Sequence, residues 1–145
     1  MKKILALVLL VLALAGCTAA LAAGKLDTIA QRGTLLVGTT GDYKPMSYLD
    51  KKTGTYEGFD TEAATMLAEA LGVKVQFVPT TWSNLTKDTM AGKFDVAMCG
   101  ITRTFAREKV MDMSKGYLLF GKTILVRKSD AGKYKNLESL NKKEV

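Results

Sequence analysis

The pattern most informative about chemistry is an arginine that follows a glycine and two threonines at the end of an apolar strand-length run. Gly100 offers a tight turn, and Thr102 and Thr104 supply hydroxyl and N–H groups where a short helix would begin. Arg107 then falls in the first turn of that helix. A guanidinium beside free N–H groups holds a planar carboxylate through parallel charge-assisted bonds, so the pattern predicts a carboxylate-binding pocket.

Hydrophobic periodicity predicts the elements that must position this loop. Helices and strands alternate along the chain, with an early hairpin, which indicates an α/β lobe built of βαβ units around a mostly parallel sheet. The predicted strands are Leu35–Gly38, Val73–Val78 and Phe94–Cys99, and the predicted hairpin pairs Met46–Leu49 with Thr55-Tyr56. The first predicted helix covers Leu26–Arg32, and the last is capped by Ser83 and runs through Ala91. The helix between them is capped by Asp60 and ended by Gly72, and its apolar face consists of Ala63, Ala64, Leu67, Ala68 and Leu71.

Ligands of open α/β sheets bind beyond the carboxyl ends of the strands, where three loops of this chain are expected to meet. These loops span Thr39–Met46, Pro79–Trp82 and Cys99–Arg107. Together they combine a carboxylate, aromatic faces, hydroxyls and one cation, which suits a small zwitterion or an organic acid. The candidate ligand residues in these loops are Thr40, Asp42, Tyr43, Trp82, Gly100, Thr102 and Arg107.

Each candidate also has a purely structural interpretation. Arg107 could pair with nearby acids on a solvated helix, Asp42 could serve a turn, and Tyr43 and Trp82 could cover the edge of the core. Asp60 is expected to be a helix cap rather than a ligand. Cys99 is expected to be a small buried apolar residue, and a catalytic thiol is disfavoured because the sequence offers no histidine as its base.

Composition narrows the function classes. The 145 residues include two cysteines and no histidine, so we expect no metal site. The formal net charge is +7, and residues 122–145 hold seven basic and three acidic side chains. These lysines lack interleaved aromatic residues, so we interpret them as solvated surface and expect no nucleic-acid partner.

The N-terminus predicts export. Lys2 and Lys3 precede an apolar run over Ile4–Ala15, which is short for a membrane span and typical of a signal peptide over residues 1–16. Leu14-Ala15-Gly16-Cys17 resembles a bacterial lipobox, in which Cys17 carries the lipid anchor. Ordinary cleavage after Ala22 or Ala23 is the alternative. Both place the product outside the cytoplasm, in the periplasm or on the outer face of the cell membrane.

Several short motifs together resemble the family 3 extracytoplasmic solute-binding proteins, the receptors of polar amino-acid ABC importers. They are Leu26-Asp27 with Gly33-Thr34-Leu35, Gly58-Phe59-Asp60, Phe94-Asp95-Val96, and Gly100-Ile101-Thr102 with Arg107. The resemblance covers residues 26–145. It implies two α/β lobes that close on an amino acid, an ABC permease as partner, and no cofactor.

The resemblance also implies roles for individual residues. Arg107 and the N–H of Thr102 would hold the ligand carboxylate, and the Gly100 carbonyl would accept the ligand amine. Tyr43 and Phe59 would be the aromatic walls. The domain organisation that follows is a linker over residues 17–25, a solute-binding lobe over 26–128, and the start of a crossover to a second lobe over 129–145.

Two segments are similar to one branch of this family, the periplasmic cyclohexadienyl dehydratases. They are Thr39–Pro45 and Pro79–Leu85. That branch converts prephenate or arogenate by loss of water and carbon dioxide, which needs a general acid for the leaving hydroxyl and cations for the carboxylates. The family's acid lies in the second lobe. Asp42 is the acidic candidate here, and an exposed aspartate is ionised at neutral pH and a poor acid. We therefore favour the receptor and keep the dehydratase as the alternative.

The chain is expected to hold one lobe of a two-lobed cleft. About 130 residues follow the leader, which suffices for one domain. Tyr117–Arg127 is predicted to be an apolar strand and Leu137–Val145 the approach to another element. A cleft open on one side loses half its contacts and its exclusion of water, so we expect weak or no ligand binding by this chain alone.

Overall fold

The computed structural model describes residues 24–121 and 123–141. The described chain divides after Met113 into two compact units. The predicted signal peptide and the Cys17 anchor lie outside the described residues, and the predicted domain boundaries remain predictions.

The first unit contains four helices and six strands among its described residues. In chain order they are α1 (Lys25–Arg32), β1 (Thr34–Thr39), β2 (Asp42–Tyr43), β3 (Ser47–Leu49), β4 (Tyr56–Glu57), α2 (Phe59–Ala70), β5 (Lys74–Pro79), α3 (Leu85–Met90), β6 (Val96–Ala97) and α4 (Phe105–Glu108). None of the helices in the described part of the chain is long and apolar enough to cross a bilayer.

The central sheet is parallel, as the alternating pattern predicts. Its order is β5-β1-β6, and Val37 in the middle strand pairs with Phe77 on one side and Val96 on the other. The predicted hairpin is present as β3 with β4, and β2, which lies in the predicted loop Thr39–Met46, joins it in a second, antiparallel sheet of order β2-β3-β4. Because the strands of the central sheet run the same way, the loops after β1, β5 and β6 leave its same edge.

Helices cover both faces of the central sheet. Leu35 and Val37 of β1 pack with Ile29 of α1 and with Ala64 and Ala68 of α2. Successive side chains of a strand point to opposite faces, so Leu36 of β1 belongs to the other layer. That second layer contains buried Leu85 of α3, Phe94 and Cys99. The α/β fold class predicted from the sequence is confirmed, with the sheet sandwiched between helices.

Asp95 joins α1 to the central sheet. Its carboxylate accepts the N–H of Leu36 at 2.8 Å and pairs with Lys25 at 3.2 Å and with Arg32. The Asp95 side chain is 3% exposed, and burial alone would raise its pKa. The Leu36 N–H and the two cations outweigh that effect and leave the pKa of Asp95 below its ordinary value.

Helix α2 corrects the prediction that Asp60 caps it. Gly58 is the N-cap residue, and Asp60 lies within the first turn with its side chain fully buried. The buried face of α2 is also rotated from the predicted one. Ala64 and Ala68 are buried, whereas Leu67 and Leu71 are about 40% exposed. Asp60 and Thr61 are buried together with Ala64 and Ala68, so the buried face of α2 includes polar side chains.

Two further predictions are wrong in detail. Helix α3 begins at Leu85 after the N-cap Asn84, so Ser83 does not cap it. The Ser83 hydroxyl instead bonds the Thr81 hydroxyl at 3.0 Å. The strand predicted over Phe94–Cys99 is restricted to Val96–Ala97. This strand pairs only with Val37 and Gly38 of β1 and lies at one edge of the described sheet, so little of the predicted run has ladder partners.

The second unit lacks the strand predicted over Tyr117–Arg127. Residues 117–121 and 123–127 have no regular secondary structure. A strand needs a partner to satisfy its N–H and C=O groups, and none of the described strands pairs with this segment. Further on, short 3-10 helices span Lys128–Asp130 and Leu137–Leu140, the second capped by the Asn136 side chain. Residues 142–145, the end of the predicted approach segment, lie outside the described residues.

Candidate functional site

The three loops expected to meet at the carboxyl edge of the sheet line a cleft of about 340 Å³. The cleft combines a carboxylate, a guanidinium, two aromatic rings and a threonine. Its lining residues are Asp42, Tyr43, Trp82, Gly100, Thr102 and Arg107. Each belongs to the set of candidates drawn from the sequence, and they come from positions up to 65 residues apart in the chain.

The loop after β6 presents Arg107 from the short helix α4. Thr104 is the N-cap, and its hydroxyl accepts the backbone N–H of Arg107 at 3.3 Å. The Arg107 guanidinium donates from Nη1 to the carbonyl oxygen of Thr102 at 2.8 Å. This bond uses one of the five guanidinium donors and orients the group beside Thr102, where the others can hold a carboxylate.

Arg103 is the contrasting arginine of the same loop. Its guanidinium bonds the Glu108 carboxylate at 2.6 and 2.9 Å and does not line the cleft. The structural interpretation raised for Arg107, an arginine paired with a nearby acid, therefore describes Arg103.

Asp42, Tyr43 and Trp82 form the aromatic wall of the cleft. The Trp82 indole N–H donates to Oδ1 of Asp42 at 3.1 Å. The Tyr43 and Trp82 rings meet edge to face, with centroids 5.8 Å apart and an interplanar angle of 75°. These contacts join the loops after β1 and β5, so the two aromatic rings and the Asp42 carboxylate hold one another in place.

Gly100 lies against the Tyr43 ring. Its φ of 74° lies in the left-handed region, and an added Cβ would fall 2.6 Å from the Tyr43 ring. The backbone of the loop Cys99–Arg107, which we term the anion loop, therefore lies directly against the aromatic wall, with no room for a side chain at Gly100.

The loop that carries Trp82 is held from behind by Asp88 of α3. The Asp88 carboxylate accepts the Thr80 hydroxyl at 2.7 Å and pairs with Lys93 at 2.7 Å. These hydrogen bonds to Lys93 and Thr80 lower the pKa of Asp88. Sequence reasoning did not find this support, because the partners join through the fold of a helix and its flanking loops.

Two predicted ligand residues do not line the cleft. Thr40 follows β1 but is half-buried, and Phe59 is 45% exposed at the start of α2. The N–H of Phe59 bonds the Pro45 carbonyl at 3.0 Å, which ties the start of α2 to the loop after β2. Their ligand roles remain predictions.

Cys99 lies beneath the cleft and is fully buried, as expected for a small apolar residue. Burial raises the pKa of its thiol to about 11, so the group is protonated at neutral pH. Within residues 24–121 and 123–141, no three His, Cys, Asp or Glu side chains are grouped to hold a metal ion.

Comparison with known proteins gives consistent matches. Residues 35–143 match the family described as bacterial extracellular solute-binding proteins, family 3. Over 121 residues the chain is 42% identical to a cyclohexadienyl dehydratase of Pseudomonas aeruginosa, covering 83% of this chain and 45% of that protein. The chain therefore spans less than half the length of this relative.

Two solved structures are similar over the same region. The crystal structure of the ancestral amino acid-binding protein AncCDT-1, described as a precursor of cyclohexadienyl dehydratase, has a TM-score of 0.80 and 52% identity, covering 85% of this chain and 54% of that one. The arginine-bound form of domain 1 from TmArgBP has a TM-score of 0.60 and 37% identity, covering 63% and 71%. The second similarity is to a single domain that holds its ligand.

Proposed function

This chain belongs to the bacterial extracellular solute-binding proteins of family 3, and we propose on that basis that it is the lobe of an amino-acid receptor that binds the ligand's carboxylate. In this proposal the protein is exported, tethered through a lipidated Cys17, and delivers its ligand to an ABC permease. The amino-acid ligand is supported by the similarity to an ancestral amino acid-binding protein and to an arginine-bound domain.

The observation that carries the proposal is the presence of opposite charges in the lining of one small cleft. Arg107 contributes a cation and Asp42 a carboxylate to that lining. An α-amino acid carries both a carboxylate and an ammonium group, so it can pair with both residues while its side chain packs on Tyr43 and Trp82. A ligand with negative charge at both ends would meet repulsion from Asp42.

Titration of the isotope-labelled chain with single amino acids, followed by NMR, tests this function. The similarity to an arginine-bound single domain narrows the expectation of weak or no binding to weak binding. We therefore expect L-arginine or another amino acid to bind and to move the backbone amide signals of Gly100, Thr102 and Arg107 first. NMR is suited to the weak affinity expected of a cleft open on one side. Amide shifts confined to residues away from the cleft, or no shift with any amino acid, would contradict the proposal.

Asp42 gives a prediction about specificity. In D42N the side chain keeps its size and its acceptor oxygen for the Trp82 indole but loses its charge. We expect the affinity for L-arginine to fall by about tenfold and that for L-glutamate to fall less, because both lose the attraction of Asp42 for the α-ammonium group while L-glutamate also loses the repulsion on its side-chain carboxylate. NMR titration of both ligands measures the change. An unchanged affinity for L-arginine would show that Asp42 does not face the ligand's ammonium group.

A dehydratase on the same fold is the second candidate, favoured by the 42% identity to the cyclohexadienyl dehydratase of Pseudomonas aeruginosa. Arg107 would hold a carboxylate of prephenate or arogenate. Among the described residues Asp42 is the one carboxylate lining the cleft, and it already accepts the Trp82 N–H. We propose that a general acid for the leaving hydroxyl would be supplied from outside this lobe.

Incubation of the full-length, two-lobed protein with prephenate, followed by the absorbance of phenylpyruvate, separates the two functions. The receptor proposal expects no turnover above the spontaneous rate. Turnover that disappears when Arg107 is replaced would favour the dehydratase over the receptor.

A further inference from the structure

The N-terminus of α2 contacts two of the three cleft loops. The N–H groups of Phe59 and Asp60 donate to the carbonyls of Pro45 and Met46 at 3.0 and 2.9 Å, on the loop that also carries Tyr43. The carboxylate of the same Asp60 accepts the N–H of Gly100 from the anion loop. A single turn of helix thus holds two loops that are separated by about 55 positions in the sequence.

Gly58 explains how α2 comes so close. Its φ is 125°, and an added Cβ would fall 2.7 Å from the carbonyl oxygens of Pro45 and Met46. A residue with a side chain could not bring Asp60 under the loops without moving them. The Gly58-Phe59-Asp60 motif, which sequence reasoning used only for family resemblance and capping, therefore has a definite geometric role.

Burial of the Asp60 carboxylate carries a desolvation cost. Its side chain is fully buried, and a buried carboxylate is costly unless hydrogen bonds and favourable dipoles compensate. The first turn of the twelve-residue α2 supplies one such dipole, and the Gly100 N–H supplies a hydrogen bond. The bond reaches across the fold to a residue that lines the cleft.

We propose that Asp60 is a positioning residue of the ligand site, which holds Gly100 against the Tyr43 ring before any ligand arrives. The backbone of Gly100 and the ring are already in close contact, so a shift of the loop displaces the aromatic wall and Thr102 together. A site held in its binding geometry avoids the cost of ordering its loops upon association. This inference rests on the ligand role proposed above for the cleft.

The test compares D60A and D60N with the control A68G. Ala68 is buried in the same helix and lies away from the cleft loops, so A68G lowers stability without touching Gly100. In ligand-free chain we expect D60A to move the Gly100 amide proton upfield and to lower its protection from hydrogen exchange by about tenfold or more. We also expect a shift in the emission of Trp82, the one tryptophan of the sequence, which contacts Tyr43.

Titration with L-arginine completes the comparison. We expect D60A to bind about tenfold more weakly and D60N to bind within about threefold of the parent, because an amide oxygen still accepts the Gly100 N–H. A68G should match the parent in the Gly100 signal and in affinity. Should D60A fail to fold, D60N decides by an upfield shift of the Gly100 amide proton.

An unchanged Gly100 amide, in D60A or in D60N when only the latter folds, overturns the inference. So does a loss of L-arginine affinity in A68G equal to that in D60A, because the effect would then follow stability alone. If the parent chain binds no amino acid, the proposed function fails, while the Gly100 and Trp82 signals of ligand-free chain still decide whether Asp60 positions the loop.

Discussion

Replacing Arg107 with methionine is expected to weaken amino-acid binding by about 100-fold or more, which removes the titratable NMR shifts of Gly100 and Thr102. Methionine keeps much of the side-chain length and removes the charge and all five donors. Hydrogen bonds to a charged group contribute roughly 1.5–3 kcal/mol, and R107M loses those that Arg107 makes to the ligand carboxylate. The same substitution should abolish any prephenate turnover.

R107K refines the prediction about the anion site. Lysine keeps the charge as a compact ammonium with three donors and loses the planar pair that holds a carboxylate through two parallel bonds. We expect R107K to bind more weakly than the parent by about tenfold and more tightly than R107M. Equal binding by R107K and the parent would show that charge alone, rather than donor geometry, holds the ligand.

R103M is the matched control for R107M. Arg103 belongs to the same loop and carries the same charge, and its guanidinium pairs with Glu108 outside the cleft. R103M changes the net charge of the chain as R107M does, so general electrostatic attraction of the ligand falls equally in both. Affinity lost to the same extent in R103M and R107M would contradict the site described above.

The second large effect is expected on stability, from the loss of Asp95. We expect D95A to lower the free energy of unfolding by about 2–4 kcal/mol, because the Leu36 N–H loses its acceptor and Lys25 and Arg32 lose their shared anion. D95N keeps an oxygen for Leu36 and loses only the charge, so its destabilisation should be smaller. Urea unfolding at pH 7 measures both.

The pH dependence of these variants has a definite sign. The pKa of Asp95 is lower in the folded chain than in the unfolded chain, where it is about 3.9. Its charged form therefore stabilises the fold fully above the unfolded pKa, and this contribution disappears as the pH falls through the folded pKa. The stability difference between the parent and D95N should be constant near neutral pH and shrink below about pH 4.

Asp88, whose pKa is also lowered, is present in both the parent and D95N. Its contribution therefore cancels in the stability difference between them, which reports on Asp95. E108Q provides the comparison with an exposed ion pair, since the Arg103 and Glu108 side chains are 51% and 36% exposed. Exposed pairs contribute little to stability, so E108Q should unfold like the parent. A parent–D95N difference that persists unchanged at acid pH would show that the Asp95 charge does not stabilise the fold.

The periodicity of the sequence was sufficient to predict the layered α/β lobe. Helix α1, strand β1 and the hairpin of β3 with β4 occur within a residue or two of their predicted ranges. Apolar residues in these segments repeat with the period of their own element, so the relevant information is local. The segment over Tyr117–Arg127 has the apolar composition of a strand but no described partner strand, and composition alone cannot supply one.

The cleft shows the same division between local and distant information. Sequence alone determined which residues are chemically suited to the site, because Gly100, Thr102 and Arg107 stand close together and three strand ends must share one edge of a parallel sheet. Only the tertiary structure decided that Asp42 receives the Trp82 N–H, that Thr40 and Phe59 lie off the cleft, and that Asp60 holds Gly100. Those contacts join residues about 40 positions apart, and their geometry follows from how helices pack on the sheet, which no local pattern encodes.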